Sequence, residues 1–285
     1  MILITGANGE LGSATIDHLM ENNPEQKVAG LVRSEEKGSE IAKKGVELRI
    51  GDYLAKPTLD RAMEGVDTLL LISSSSFEQR IKQHENVIEA AKKAGVKHIV
   101  YTSMLQAHKE LSPLTADHHA TEKTINDTGI SYTINRHTFY TEFFPMFLGQ
   151  AMETGTWTFP SNGEKVNFAY RTEMAEALAN ILVSPDDHKN QVYEITSLEA
   201  HTLKEYAEKL SLASGKKITY KDVSLDEFVE GLEAAGLPDD VVAMSKLSAI
   251  TVANGALAHT SDDLKELLGR DPKRTYEFIR EFAGE

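Results

Sequence analysis

The chain opens with the stretch MILITGANGELG (residues 1–12), a short apolar run that leads directly into three glycines. The glycines stand at Gly6, Gly9 and Gly12. At the junction of a strand and a helix, this spacing allows a tight turn, a close approach of the backbone to a pyrophosphate, and close packing of the helix on the sheet. The helix that follows would offer unpaired N–H groups to an anion. We interpret the segment as a dinucleotide-binding turn; an ordinary glycine-rich turn is the alternative.

The first 135 or so residues alternate short apolar runs with amphipathic stretches. The runs are rich in Val, Ile and Leu without strict alternation, as is typical of strands buried on both faces. Strands that alternate with helices in this way predict an α/β fold with a Rossmann-type, doubly wound parallel sheet. The predicted strands are Ile2–Thr5, Val28–Val32, Glu47–Ile50, Thr68–Ser73, His98–Thr102 and Ser131–Asn135.

After Arg136 the pattern changes to short strand-like pieces among mostly helical segments. A stretch at Thr141–Thr154 is helical in pattern, although Pro145 lies within it. Val192–Thr196 is a further buried strand by composition. We therefore divide the chain into a dinucleotide-binding domain at residues 1–155 and a smaller, mostly α-helical substrate lobe at residues 156–285. Part of the chain, at about residues 165–200, is expected to return to the main sheet.

The end of the second predicted strand carries the next cofactor signal. An enzyme that uses NAD usually has an acidic residue there, which binds the ribose 2′-hydroxyl. This chain has Arg33, whose guanidinium can bind a 2′-phosphate through two hydrogen bonds and can stack on adenine. The residue favours NADP over NAD as the cofactor, although a solvated arginine at a strand end is the structural alternative.

Polar residues follow the third and fourth predicted strands, at the sheet edge where ligands bind in open α/β sheets. Asp52 is a candidate acceptor for the adenine amino group, or else a capping aspartate in a turn. Ser73, Ser74 and Ser75 are candidates for contacts with ribose or pyrophosphate, or else form a helix cap and a flexible loop.

The composition excludes several classes of site and partner. The sequence contains no cysteine, so disulfides, thiolate metal sites and cysteine nucleophiles are excluded. The net charge is −14 and no basic stripe offsets it, which argues against nucleic acid as a partner. No apolar run approaches the roughly 20 residues of a membrane helix, and the start lacks the pattern of a secretory leader. We expect a cytoplasmic protein without a membrane anchor, either a monomer or a homodimer.

Several motifs occur together and in order along the chain. They are TGANGELG, LVRS, GDY, the serine run, VKHIVYTSM, HHATEKTI, GISYTINR and NFAYRTEMAEALANIL. With these motifs the chain resembles the short-chain dehydrogenase/reductase superfamily, and within it the atypical NmrA-like branch that includes bacterial NAD(P)H quinone oxidoreductases and triphenylmethane reductases. The resemblance covers essentially the whole chain and implies a Rossmann core, a small lobe and a substrate cleft between them.

The resemblance also implies where the cofactor contacts lie. The phosphate-binding turn falls on Gly6, Ala7, Asn8, Gly9, Glu10, Leu11 and Gly12, the 2′-phosphate arginine on Arg33, and the contacts after the fourth strand on Ser73 to Ser75. The loop after the sixth strand corresponds to His137, Thr138, Phe139, Tyr140, Thr141 and Glu142, with His137 where family members often carry proline. A loop that closes over the nicotinamide corresponds to Ala169, Tyr170, Arg171, Thr172, Glu173 and Met174.

The proton donor that is typical of the superfamily is absent. Typical members use a Tyr-x-x-x-Lys pair; anchored on Glu122, the lysine position is His118 and the tyrosine position is Leu114. Without the tyrosine, reduction of a simple carbonyl lacks its acid, whereas a quinone or a cationic dye takes hydride with less help. We name His118 and Tyr140 as candidate catalytic residues. The alternatives for His118 are a contact with the nicotinamide ribose or a hydrogen bond within its helix. Tyr140 and His137 either line the substrate mouth or simply pack in the interior.

Three functions are compatible with these observations. The first is an NADPH-dependent oxidoreductase that transfers hydride to a quinone or a similar electron-poor aromatic acceptor. The second is an NADP-sensing regulatory protein of the NmrA kind that binds cofactor without turnover. The third, sugar-nucleotide epimerisation on the same scaffold, is weakened by the missing tyrosine.

Overall fold

A computed structural model describes residues 1–284 of the chain. Twelve strands lie within these residues, and most of the first six coincide with the apolar runs of the sequence. In chain order they are β1 (Ile2–Ile4), β2 (Val28–Val32), β3 (Glu47–Ile50), β4 (Thr68–Leu71), β5 (His98–Met104), β6 (Ser131–His137), β7 (Phe139–Tyr140), β8 (Thr156–Thr158), β9 (Lys165–Ala169), β10 (Gln191–Ile195), β11 (Ala200–Thr202) and β12 (Thr219–Lys221).

Thirteen α-helices lie between and after these strands within the described residues. Four of them begin at a side-chain cap: Ser34, Ser112, Thr202 and Ser224 each accept a hydrogen bond from the first turn. The helices are α1 (Glu10–Asn22), α2 (Glu35–Ala42), α3 (Lys56–Ala62), α4 (Arg80–Ala94), α5 (Pro113–Asn126), α6 (Phe144–Leu148), α7 (Ala151–Thr154), α8 (Arg171–Val183), α9 (Leu203–Ser214), α10 (Leu225–Ala234), α11 (Asp239–Ala253), α12 (Asp263–Leu268) and α13 (Thr275–Ala283).

Seven strands form one parallel sheet in the order β10-β6-β5-β4-β1-β2-β3. The chain builds β1, β2 and β3 toward one edge and then crosses back, so that β4 lies on the other side of β1. This reversal leaves a crevice at the carboxyl ends of β1 and β4, which is where open α/β sheets bind ligands. The predicted doubly wound Rossmann-type sheet is confirmed.

Both faces of this sheet are covered by helices. One face packs against α1, α2 and α8, and the other against α3, α4 and α5. The inner strands are therefore buried along their whole length, which explains why their sequences are continuous apolar runs instead of alternating ones.

The remaining elements build a lobe with two small sheets, β11-β9-β7 and β12-β8. Its core is aromatic. Phe144 lies edge-on to Trp157, Phe168 and Tyr206 with ring centroids 5.5 to 5.8 Å apart, and the Trp157 indole N–H donates to the Phe147 carbonyl at 2.6 Å. This packing holds the segment after β6 against the carboxyl edge of the main sheet.

The predicted helix at Thr141–Thr154 is wrong as a single element. The segment is a 3₁₀ turn at Thr141–Phe143 followed by α6 and α7, because Pro145 fixes the start of α6 and Gly149 ends it. Strands β7 and β11 and helices α3 and α13 were not predicted. They are short or lie outside the regular alternation of the first domain.

The chain does return to the main sheet between residues 165 and 200, but only in part. Helix α8 packs on α1, and β10 pairs with β6. Strand β9 belongs instead to the three-stranded sheet, and α12 packs on α8 and β10. The division near residue 155 stays a proposal. Within residues 1–284 no helix is both long and apolar enough to cross a membrane.

Candidate cofactor and substrate site

A cavity of about 460 Å³ opens at the crevice between the carboxyl ends of β1 and β4. We call it the polar groove, because backbone and polar side chains from the ends of four strands line it. The lining residues are Gly6, Asn8, Gly9, Leu31, Val32, Arg33, Gly51, Asp52, Tyr53, Leu54, Ile72, Ser73, Ser74, Ser75 and Gln83.

The glycine turn closes one side of the polar groove. Gly6 has φ of +59°, which L side chains rarely adopt, and its carbonyl accepts the Gly9 N–H at 2.9 Å. Gly9 then caps α1. A Cβ placed on Gly12 would collide with the Gly6 carbonyl oxygen and would lie 2.9 Å from Ala7 Cα. The turn is therefore held in a shape that exposes its backbone to the groove.

Arg33 lies exposed at the far end of the same groove, directly after β2. No carboxylate in residues 1–284 forms an ion pair with it. Asp52 accepts the Leu54 N–H at 2.8 Å, so it does cap a turn, and it lines the groove as well. Burial raises the pKa of Tyr53 to about 12, so its phenol stays protonated beside Arg33. The end of the groove thus combines a free guanidinium with a flat aromatic wall.

The serine loop after β4 separates the polar groove from a second cavity. Ser74 is tied inward: its N–H donates to His84 Nε2 at 2.9 Å, and its hydroxyl bonds to Gln83. The Ser73 N–H donates to Thr102 Oγ1 at 2.9 Å. Ser73 and Ser75 line both cavities. The two cavities therefore meet at this loop.

The second cavity, of about 450 Å³, is mainly apolar, and we call it the aromatic cavity. It lies between the ends of β4 to β6 and the lobe. The lining residues are Ser73, Ser75, Phe77, Arg80, Thr102, Ser103, Met104, Leu114, His118, His137, Thr138, Phe139, Tyr140, Phe143, Met146, Phe147, Met244 and Ser248. A flat apolar ligand bound here would lie next to one bound in the polar groove.

His118 is buried on the wall of the aromatic cavity. Its Nδ1 is 2.8 Å from the hydroxyl of Tyr101 on β5. Burial and the nearby Arg80 charge hold the pKa of His118 well below its usual range, so the ring is neutral at pH 7. Burial also raises the pKa of Tyr101, which keeps that phenol protonated. His118 therefore presents an uncharged ring to the cavity, and the fully buried Tyr101 holds that ring from behind.

His137 is also buried on this wall, and neither of its ring nitrogens has a hydrogen-bond partner within residues 1–284. Burial lowers the pKa of His137 to about 3. His84 is similar: its Nε2 accepts the Ser74 N–H, its Nδ1 is 3.0 Å from Thr121 Oγ1, and burial lowers its pKa to about 3. Both imidazoles are neutral near pH 7.

These two buried histidines predict a loss of stability in acid. Unfolded histidine titrates near pH 6.5. Above that pH both rings are neutral in both states. Below it, the unfolded chain takes up protons that the folded chain does not, and stability falls until about pH 3. We expect the free energy of unfolding to drop by about 2 kcal/mol per histidine between pH 6.5 and pH 5, measured by urea unfolding.

The variant His137→Leu tests this assignment, because it removes a titrating group that has no partner to lose. It should lessen the acid-induced drop by about 2 kcal/mol. His259→Gln, at an exposed position, is the control and should leave the pH dependence unchanged. An unaltered drop in His137→Leu would show that the folded and unfolded chains protonate His137 over the same pH range.

Glu122, the anchor used to locate the missing Tyr-x-x-x-Lys pair, is a structural residue. It accepts hydrogen bonds from Ser103 Oγ at 2.5 Å and from two Arg136 nitrogens at 2.8 and 2.9 Å. His119, whose spacing to Lys123 mimics the pair, bonds instead to Glu110 at 2.8 Å and does not line either cavity. At Glu122, His119 and Lys123, therefore, the structure offers no substitute for the Tyr-x-x-x-Lys pair.

A bridge connects the glycine turn with the lobe at the mouth of the groove. Arg171 forms an ion pair with Glu10, and its backbone N–H donates to Glu142 at 3.2 Å. The Arg171 guanidinium lies 4.7 Å from the ring centroid of Tyr140 and 5.5 Å from that of Phe143. A third cavity, of about 420 Å³, is lined by Asn8, Gly9, Glu10, Ser13, Ala14, Asp17, Glu142, Arg171 and Thr172.

Several residues predicted to contact cofactor do not line these cavities. The side chains of Ala7 and Leu11 pack in the core beneath the turn. Glu173 is buried and paired with Arg270, and it accepts the Lys273 N–H at 2.9 Å, so it anchors the end of the chain. These residues lie outside the cavities because they are buried in the interior or packed against other backbone. The full set outside the cavities is Ala7, Leu11, Gly12, Thr141, Ala169, Tyr170, Glu173 and Met174.

Sequence reasoning missed other lining residues. Arg80 and Gln83 lie at the start of α4, and the serine run just before them was the available signal. Met244 and Ser248 come from α11, far along the chain, and no local pattern could have placed them at the cavity mouth. No cluster of metal-ligating side chains occurs in the described part of the chain.

The chain is similar to known proteins over its whole length. The NmrA-like family model matches residues 1–281. Quinone oxidoreductase 2 of Escherichia coli (strain K12) is 39% identical over 269 residues, which cover 94% of this chain and 94% of that protein. The crystal structure of an NADPH-dependent quinone oxidoreductase from Escherichia coli, complexed with NADPH, superimposes with a TM-score of 0.93 at 37% identity and covers 99% of both chains.

A second solved structure with a bound cofactor is equally similar. It is the triphenylmethane reductase of a Citrobacter species complexed with NADP(H), with a TM-score of 0.92 at 37% identity, covering 99% of this chain and 100% of that one. The resemblance inferred from the sequence motifs is thus confirmed, and this chain belongs to the NmrA-like family.

Proposed function

We propose that this protein is an NADPH-dependent oxidoreductase that reduces quinone-like acceptors. The observation that carries the proposal is the junction at Ser73 and Ser75, which line both the polar groove and the aromatic cavity. A dinucleotide bound in the groove and a flat ring bound in the cavity would then be neighbours at these two serines. The similarity to NADPH-dependent quinone and dye reductases over the full chain supports the same activity.

The residues present fit NADPH. The N-terminus of α1 would offer N–H groups to a pyrophosphate, and Gly12 lets the helix pack against the turn, because a Cβ there would lie 2.9 Å from Ala7 Cα. Arg33 would bind the 2′-phosphate, and Tyr53 and Asp52 would lie beside the adenine. Ser73 and Ser75 would contact the ribose on the nicotinamide side. When bound, the reduced nicotinamide supplies a hydride.

Most of the catalytic effect would come from position and electrostatics. The apolar walls orient the acceptor ring and exclude water, which strengthens each polar contact inside the cavity. We propose that the buried Tyr101 phenol donates to His118 Nδ1, so that the Nε2–H of a neutral imidazole is left to donate to an acceptor oxygen. Tyr140, whose pKa is raised by burial and by Glu142, stays protonated and is the second candidate donor.

His118→Leu tests the role of the imidazole. We expect kcat with a quinone to fall about 10- to 100-fold, since one preorganised donor is lost, while the dissociation constant of NADPH changes less than about threefold. Tyr140→Phe should give a smaller loss of the same kind. Stopped-flow absorbance of the reduced nicotinamide and calorimetry of cofactor binding make the two measurements.

His119→Leu is the matched control, because His119 is adjacent in sequence and pairs with Glu110 away from the cavity. It should leave both constants unchanged. If His118→Leu weakened NADPH binding strongly and left kcat intact, His118 would be a ribose contact instead of a donor to the acceptor.

Turnover separates the enzyme from the alternative, an NADP-sensing regulator. Purified protein is mixed with NADPH and a panel of quinones, and oxidation of the cofactor is followed by absorbance. Steady turnover on at least one quinone is the expected result. Tight NADPH binding without turnover on any acceptor would favour the sensor. A homodimer and a cytoplasmic location stay predictions from the sequence; sedimentation of the purified chain tests the first.

A further inference from the structure

The aromatic cavity contains one charged side chain that the proposed mechanism does not use. Of the lining residues in the described part of the chain, Arg80 alone is charged at neutral pH, because burial holds the pKa values of His118 and His137 below their usual range. Only 5% of the Arg80 side-chain surface is exposed. A cation in an apolar, water-poor wall is costly unless it has a role or a partner.

The protein partners of Arg80 leave part of its guanidinium free. Its Nε donates to the Ser74 carbonyl at 3.0 Å, which fixes the orientation of the group. Nη1 is buried and has no hydrogen-bond partner; it forms an ion pair with the carboxylate of Asp117 at 3.6 Å, which is too long for a hydrogen bond. The ring of Phe77 packs 5.1 Å from the guanidinium carbon and shields it from water. The group is held in place without having its donors filled.

Hydride transfer lowers the charge of every acceptor by one, so acceptors that differ in starting charge give products that differ in charge. One hydride added to a neutral quinone, with oxidation of NADPH to NADP⁺, gives a hydroquinone monoanion; one proton from water or a donor then completes the hydroquinone. The same hydride added to a triarylmethyl cation forms a C–H bond and gives a neutral product. A fixed cation in the cavity therefore favours the first reaction and disfavours binding of the second kind of substrate.

We propose that the Arg80 guanidinium binds the acceptor oxygen that becomes negative on reduction, and that it makes the enzyme select neutral quinone-type acceptors over cationic dyes. This inference rests on the proposed reductase function and deepens it. Overall similarity leaves both acceptor classes open, since one relative with 37% identity is a quinone reductase and another is a triphenylmethane reductase. Arg80 supplies the physical reason for a choice between them.

Charge selectivity in binding is the readout, because a purely structural role of Arg80 would weaken all ligands alike. The probes are 2-hydroxy-1,4-naphthoquinone as its enolate anion and the neutral 2-methoxy analogue, each titrated by calorimetry into the protein saturated with NADP⁺. In Arg80→Met we expect the preference for the anion to fall roughly 10- to 100-fold, the range spanned by hydrogen bonds to charged groups. Lys82→Met, an exposed lysine on the same helix, removes equal charge and should leave the preference unchanged.

A second variant tests the proposal in the opposite direction. Asp117→Asn keeps Arg80 and removes the nearest carboxylate, so the preference for the anion should rise. If Arg80→Met alone fails to fold, Asp117→Asn and the double variant Arg80→Met/Asp117→Asn still test the proposal. The double variant leaves no unpaired buried charge. The double variant should bind the enolate anion without preference over the neutral methoxy analogue.

Steady-state kinetics complete the experiment. The wild-type kcat/KM should be higher for neutral 1,4-naphthoquinone than for a cationic triphenylmethane dye, and Arg80→Met should narrow that ratio at least about tenfold. Turnover of the quinone with an unchanged ratio and unchanged anion preference in Arg80→Met would overturn the role of Arg80. Absence of turnover on any acceptor, with Arg80-dependent anion binding intact, would overturn only the reductase function.

Discussion

Gly12→Ala is expected to weaken NADPH binding about 100-fold, because a single added methyl group displaces the phosphate-binding turn. The new Cβ would overlap the Gly6 carbonyl oxygen and lie 2.9 Å from Ala7 Cα. Both contacts are backbone, so they cannot be relieved by a side-chain rotation. A shifted turn loses several hydrogen bonds to the pyrophosphate at once, each worth about 1.5 to 3 kcal/mol when one partner is charged.

Calorimetry of NADPH binding measures this loss, and urea unfolding measures the strain in the free protein. Overpacking of this kind costs about 1 to 3 kcal/mol of stability. Gly231→Ala is the matched control: Gly231 lies within α10, and an added Cβ meets no atom within 4 Å. It should leave binding unchanged and stabilise the helix by up to about 1 kcal/mol. Unchanged affinity in Gly12→Ala would mean that the pyrophosphate does not bind at this turn.

Arg33→Asp is expected to lower the affinity for NADPH by roughly 100- to 1,000-fold and to leave that for NADH the same or slightly higher. The arginine is exposed at the end of β2 and lines the polar groove. Its replacement removes a two-point contact with the 2′-phosphate and adds repulsion, whereas an acid at this position can accept from the 2′-hydroxyl of NADH. The difference between the two cofactors is the diagnostic quantity.

Lys27→Asp controls for the change of net charge, since Lys27 precedes the same strand and lies exposed at the opposite edge of the sheet. It makes the same change of charge about one strand length from Arg33. Both cofactors should bind this variant almost as they bind the wild type. Equal losses of NADPH and NADH affinity in Arg33→Asp would contradict the assignment of Arg33 to the 2′-phosphate.

The polar groove was largely predictable from local sequence. A glycine turn, a residue directly after β2 and a serine run directly after β4 are each tied to the end of a strand, and the parallel sheet brings those ends to one edge. The surroundings of a residue are not given by its local sequence. The family resemblance implies that Glu173 belongs to the loop over the nicotinamide; in the folded chain its carboxylate binds Arg270 and the backbone N–H of Lys273.

The sequence by itself determined the first six strands of the main sheet, and it predicts the phosphate-binding turn and Arg33 as the 2′-phosphate ligand, because each depends on a few neighbouring residues and on the geometry of one strand end. Only the tertiary structure decided what lines the aromatic cavity. Its walls come from α4, β5, α5, the segment after β6 and α11, which are distant in sequence. Burial is a property of the packed chain, and it is burial that neutralises His118 and leaves Arg80 as the cavity's charge.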